Sequence, residues 1–263
     1  MMVFGGGRVC LPALAAVMLV LAPSRARAVD PFEIQVYDAT VGAPGHPGIE
    51  LHANSVLQGH REAAPPELPS HHQSHLTAEP AVAITAWWEI GLYLQSAILA
   101  DGTFEYAGNK LRSKFVLPPR PGSPFGWGVN LEVSRLPEQY DRDRWGAELR
   151  PIATWTSAGG RVYASINPIL DLSLAGSGGG DAPSFEPAMT VTYVIGGLLS
   201  AGLEYYANFG PLGDWLPAAA QEHYLFQVVN VLRWARFELN VGVGEGLTDA
   251  SNPLVGKMIV GFH

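Results

Sequence analysis

Charged side chains recur at a spacing that could build a selective passage. Glu50, Glu79, Glu89, Glu132, Glu148, Asp171, Glu186, Glu204 and Glu238 each sit in an alternating stretch, opposite apolar neighbours. Lys110, Arg112 and Lys114 share one face of a single stretch, and Arg150 and Lys257 fall on others. Carboxylates aimed into a wet pore set ion preference, and nine acids against five bases would favour cations. The same groups, paired with one another, would instead fill and rigidify a closed interior. Both readings are open from the sequence. Paired glutamates could suggest glycoside hydrolysis, but carboxylates scattered along the chain give no fixed separation for it.

Other chemistry finds less support. His60, His71, His72 and His75 cluster with His46 and His52 nearby, and imidazoles bind zinc, copper or nickel. The stretch Arg61 to His75 is rich in proline and serine and has no ligand frame, so a solvated loop is the simpler reading. Gly-x-Ser-x-Gly is absent, and His223 has no serine partner in its pattern, so no catalytic residue and no enzyme is expected. No cofactor is implied.

The elements that must carry these groups are strands. Trp88-Glu-Ile-Gly-Leu-Tyr-Leu-Gln95 and Trp127-Gly-Val-Asn-Leu-Glu-Val-Ser134 alternate apolar and polar residues, the period of a half-buried strand. Thirteen such stretches are expected: 32–38, 49–58, 76–85, 88–98, 103–116, 126–135, 145–156, 161–174, 184–195, 198–209, 222–232, 235–245 and 254–262. The 222–232 stretch alternates poorly.

Three features turn this pattern toward a closed antiparallel transmembrane β-barrel. Tight connections at Thr85–Trp87, Ser157–Gly160, Gly196–Gly197 and Arg233–Trp234 alternate with longer ones at 136–144, 175–183, 210–221 and 246–253, as short periplasmic turns alternate with long external loops. Trp87, Trp88, Trp127, Trp155 and Trp234 mark one set of strand ends, and Trp145 and Trp215 the other, as in aromatic girdles. The last stretch ends on Phe262, one residue before His263. Parity then gives about twelve strands over 49–263. Residues 29–48 remain as a periplasmic segment or as a strand that enters the lumen.

The N-terminus fits export. Arg8 precedes an apolar run from Val9 to Ala22, shorter than the roughly 20 residues of a spanning helix. Ala26-Arg27-Ala28 follows as a small-x-small site, so residues 1–28 read as a signal peptide cleaved after Ala28. Cys10, the sole cysteine, leaves with it, which excludes a disulfide-stapled scaffold. Three of the 16 basic residues leave too, while all 24 acidic residues stay. That balance excludes nucleic acid as a partner. The expected location is the bacterial outer membrane, with its lipid and the barrel assembly machinery as partners and a small solute as cargo.

A resemblance accompanies this reading. The stretches Phe32-Glu-Ile-Gln-Val-Tyr-Asp-Ala39, Pro47-Gly-Ile-Glu-Leu-His-Ala-Asn54, Leu76-Thr-Ala-Glu-Pro80 and Lys110-Leu-Arg-Ser-Lys-Phe-Val116 carry its first half. Trp145-Gly-Ala-Glu-Leu-Arg-Pro-Ile152, Asn167-Pro-Ile-Leu170 and Gly202-Leu-Glu-Tyr-Tyr-Ala-Asn-Phe-Gly-Pro211 carry the rest. Together they are similar to a proteobacterial outer-membrane family named for the meta-pathway of phenol degradation. The resemblance implies a barrel and import of hydrophobic or aromatic compounds. It transfers no functional residue.

Overall fold

The computed structural model describes residues 30–141, 144–176, 182–234 and 237–262. The expected signal peptide, its cleavage site and His263 lie outside them. The strands are β1 (Pro47–Gln58), β2 (Ser74–Thr85), β3 (Trp88–Ile98), β4 (Phe104–Val116), β5 (Phe125–Arg135), β6 (Trp145–Thr156) and β7 (Val162–Asn167). They continue as β8 (Leu170–Ala175), β9 (Ser184–Phe185), β10 (Ala188–Ile195), β11 (Leu199–Asn208), β12 (Glu222–Trp234), β13 (Phe237–Gly246) and β14 (Leu254–Phe262).

Every pairing is antiparallel, and β1 closes the sheet on β14 from Ile49↔Phe262 to Val56↔Val255. The fourteen strands make twelve wall segments. β7 and β8 both pair with β6, and form one segment interrupted at Pro168 and Ile169. β9 and β10 form another, interrupted at Glu186 and Pro187. Proline donates no hydrogen bond to a ladder, so each proline breaks its strand without breaking the wall. Main-chain bonds bridge the gap: Glu186 N–H donates to Ile169 O at 2.9 Å, and Ala207 N–H to Pro187 O at 3.1 Å.

Two corrections to the expected elements have physical causes. Residues 32–38 alternate like a strand but pair with none, because they run through the interior. β12 continues through Trp234, so Arg233 and Trp234 belong to the strand and not to the expected turn; residues 235–236 lie outside the described residues. Its weak alternation also has a cause: Tyr224, Phe226 and Val228 point inward and pack with Ile34, so both faces of β12 are apolar. Gly244 on β13 leaves room there, since a Cβ would sit 2.4 Å from the Phe226 ring.

The outer face is a band of Leu51, Leu92, Leu94, Leu111, Leu131, Val133, Val191, Leu203, Val229, Val243 and Met258, all exposed. Water would not tolerate so continuous an apolar surface, and lipid requires it. Phe125, Trp127, Trp155 and Phe262 edge the band at the short-turn rim, and Phe104, Tyr106, Trp145 and Trp215 at the long-loop rim. Leu111 lies mid-strand, between Leu92 and Val133. Leu111→Arg is expected to cost about 2–4 kcal/mol of barrel stability, the penalty for arginine at the membrane midplane. Urea unfolding in lipid vesicles would measure it.

Candidate functional site: a lumen occupied by its own chain

The interior is held by residues 30–46. From the long-loop end, Phe32 is fully buried among Ala97, Ala107, Leu136 and Tyr140, with Leu68 against them. The segment descends through the barrel, and Gly45 N–H reaches Ala83 O at the short-turn rim at 2.8 Å. β1 begins two residues later.

An irregular segment inside a barrel must find partners for its main-chain groups. Here the wall supplies them by side chain. Asn54 Nδ2 donates to Pro31 O at 3.0 Å and Thr77 Oγ1 to Phe32 O at 2.9 Å. Lys257 Nζ donates to Ile34 O at 3.0 Å and Arg150 Nη1 to Gln35 O at 3.3 Å. Ser165 Oγ and Asn167 Nδ2 donate to Tyr37 O at 2.6 and 3.1 Å, and Tyr37 N–H returns a bond to Asn167 Oδ1 at 2.7 Å.

The segment's own acids complete the charge pattern. Asp30 pairs with Lys110. Glu33 is 3% exposed and lies between Lys110 at 3.4 Å and Arg150 at 3.5 Å. Asp38 meets Lys114 at 3.2 Å. Tyr37 places its ring among three cations: Arg150 at 4.4 Å, Lys114 at 5.1 Å and Arg112 at 5.7 Å from the centroid. Its hydroxyl bonds that of Tyr93.

Most of the inward charges expected on the wall find partners. Glu132 reaches Lys110 at 3.4 Å, and Glu148 holds Arg150 through two bonds of 2.6 and 3.0 Å. Arg112 is shared between Glu79 at 2.5 Å and Glu89 at 2.9 Å. Gly91 lets it lie flat on β3, because a Cβ there would stand 2.8 Å from Arg112 Nε. Lys257 pairs with Glu204 and donates to Tyr206 Oη at 3.2 Å. Glu186 accepts from Asn208 at 2.7 Å, and Asp171 stands in register with Glu148. Glu50 accepts from Gln35 Nε2 at 2.9 Å. Glu238 is exposed at the short-turn rim.

The outer histidines do not converge. His60 Nε2 meets Ala250 O, His71 Nδ1 accepts from Gly59 N–H, His71 stacks on His72, and His75 Nε2 meets Gln73 Oε1. His223 binds Tyr205 and Gln221 through its ring, while Ser251 Oγ bonds its main chain. That arrangement gives no nucleophile–base pair.

Beside residues 35–43 of the segment, a cavity of about 790 Å³ extends to the short-turn rim. Tyr163, Thr190, Thr192, Ser200, Asn230 and Asn240 line one side, and Glu50, Glu79, Glu89, Arg112 and Lys114 the other. Sequence reading missed the site's central acids, Asp30, Glu33 and Asp38. The alternation at 32–38 was the available signal, since it put Glu33, Gln35 and Tyr37 on one face.

These features define a transmembrane β-barrel whose lumen is filled by its own N-terminal segment. No family model matches the sequence, and no curated protein matches it by sequence. Solved structures do match. The COG4313 outer membrane channel from Pseudomonas putida F1 superposes with TM-score 0.60 at 10% identity, over 88% of this chain and 99% of that one. The KdgM porin gives 0.53 at 9% identity, over 82% and 98%, and the NanC porin 0.52 at 8%, over 83% and 100%. The chain therefore has the fold of outer-membrane channels, and these fold neighbours are channels rather than enzymes.

Proposed function

We propose that this protein is an outer-membrane channel for small solutes, closed in this conformation by residues 30–46. The observation that carries the reading is the mismatch between wall and occupant. The wall is polar along much of the passage, and its occupant is a single strand-like segment tied mainly by wall side chains, with apolar packing at Phe32 and Ile34 and a main-chain bond at Gly45. A structural core would be fixed by apolar packing throughout. Here a polar route runs beside a removable stopper. The short-turn rim then faces the periplasm and the long loops face outward. Insertion depends on the barrel assembly machinery, with β14 as the closing strand. The nine inward carboxylates do not give a simple cation filter in the closed form, because five of them are committed to Lys110, Arg112, Arg150 and Lys257.

A disulfide tests the stopper directly. A Cβ added at Gly42 would stand 3.9 Å from the Cβ of Ala83, within the usual disulfide range. Residues 29–263 contain no cysteine, so Gly42→Cys with Ala83→Cys would form the sole bridge. Oxidised protein in a planar bilayer is expected to conduct rarely, and reduction to restore the openings of the parent. Equal conductance in both states would sink the reading.

The aromatic solutes implied by the family resemblance have one structural counterpart. When Tyr37 withdraws, Arg150, Lys114 and Arg112 are left around a ring-sized space. Such cations attract a π-face and, equally, a carboxylate. Benzoate is therefore expected to interrupt current through the opened channel at lower concentration than cyclohexanecarboxylate, with parity counting against an aromatic preference.

A further inference from the structure

We propose that Glu50, His52 and Glu79 form a binding site for a divalent transition-metal ion of the zinc type on the inner wall. Glu50 and Glu79 stand directly opposite each other on β1 and β2, and His52 follows two residues on, on the same face. One ligand atom from each of the three lies within 4.8 Å of the other two. His52 Nε2 is 3.3 Å from Glu79 Oε2 and 3.7 Å from Glu50 Oε2. Bonds of about 2.0–2.2 Å to a tetrahedral ion put neighbouring ligand atoms roughly 3.3–3.6 Å apart, close to both His52–carboxylate spacings, and the carboxylates need move by no more than about an ångström to close on the ion.

Charge leads to the same conclusion. Like charges directly opposite on paired strands destabilise the sheet. Arg112 offsets Glu79, but among the described residues no lysine or arginine pairs with Glu50. A divalent ion would balance both carboxylates, and one imidazole with two carboxylates is a donor set zinc accepts. Gln35 borders the site. Its Nε2 is used on Glu50, while its Oε1 is buried without a hydrogen-bond partner. Glu50 and Glu79 both line the cavity, so an ion can arrive from the short-turn rim.

The site would join wall to stopper, since Glu50 is held by Gln35 of the N-terminal segment. Bound metal would therefore favour the closed channel. This second part rests on the channel reading, and the site itself does not.

The test uses refolded residues 29–263, freed of metal by chelation, with Co²⁺ as the probe. Saturable 1:1 binding with the visible absorption of tetrahedral cobalt is expected. Glu50→Gln and His52→Gln should each weaken it at least tenfold, and His71→Ala with His72→Ala should leave it unchanged. Folding is checked by the shift in gel mobility on heating; should His52→Gln not fold, Glu50→Gln, on the half-exposed ligand, carries the test. Absence of saturable binding overturns the site. So does binding that survives Glu50→Gln but is lost with the two loop histidines. Zn²⁺ added at the short-turn side is expected to reduce openings of the parent and not of Glu50→Gln. Binding without that reduction overturns the link to closure and leaves the site standing.

Discussion

Glu33→Ala is expected to open the channel. Glu33 holds Lys110 and Arg150 from the long-loop half of the N-terminal segment. Each loses a charge-assisted contact in the variant, and such contacts contribute about 1.5–3 kcal/mol. Both cations keep a wall carboxylate, Glu132 or Glu148, so the combined cost falls near ~3 kcal/mol. The cost applies only while the segment is seated, because water solvates the cations once it leaves. The open-to-closed ratio should therefore rise by about two orders of magnitude. Single-channel recording would show frequent openings where the parent shows rare ones. Deleting residues 30–42 gives the limiting conductance for comparison. A variant as quiet as the parent, and resistant to added protease at the segment, would show that Glu33 does not hold it.

Glu204→Gln is expected to cost the barrel itself. Glu204 faces Lys257, and both are almost fully buried on the wall. Lys257 has no second carboxylate among the described residues; it has only Tyr206 Oη and Ile34 O. Removing one partner of a buried ion pair costs roughly 3–5 kcal/mol, because the other charge is stranded. Replacing both by neutral groups of similar size is far milder. Glu204→Gln with Lys257→Met should thus recover most of the lost stability in urea. Failure of the second substitution to rescue the first would mean that Glu204 acts mainly through Tyr206, whose hydroxyl it accepts at 2.5 Å.

Much of the barrel was legible because a membrane wall repeats one local rule. Side chains alternate between lipid and lumen, so strands such as β3 and β5 announce themselves within ten residues. β12 did not, because its inner face meets Ile34 and not water. The broken segments at Pro168 and Pro187 read as single strands, which they are for the purpose of the wall. The inward charges were also legible as a set, since lipid excludes them from the other face. Their pairing was not. Lys110 finds Asp30 and Glu33, far away in sequence, only once residues 30–46 lie in the lumen. No periodicity encodes that. His52 was passed over for a similar reason: its significance comes from β2 register, not from its neighbours in sequence.

The N-terminal segment also has a mechanical role. Its tie to Asn54 lies on β1 and its ties to Ser165 and Asn167 lie on β7, half-way round the twelve-segment ring. It is an internal strut across the diameter of a hollow tube. A tube that loses its strut can flatten, and its seams loosen first where they are already short. The seam between β7 and β10, beside the two proline breaks, is such a place. In the proposed channel, permeability and wall stiffness would therefore be set by the same residues, and any solute that gained passage would do so through a softer tube.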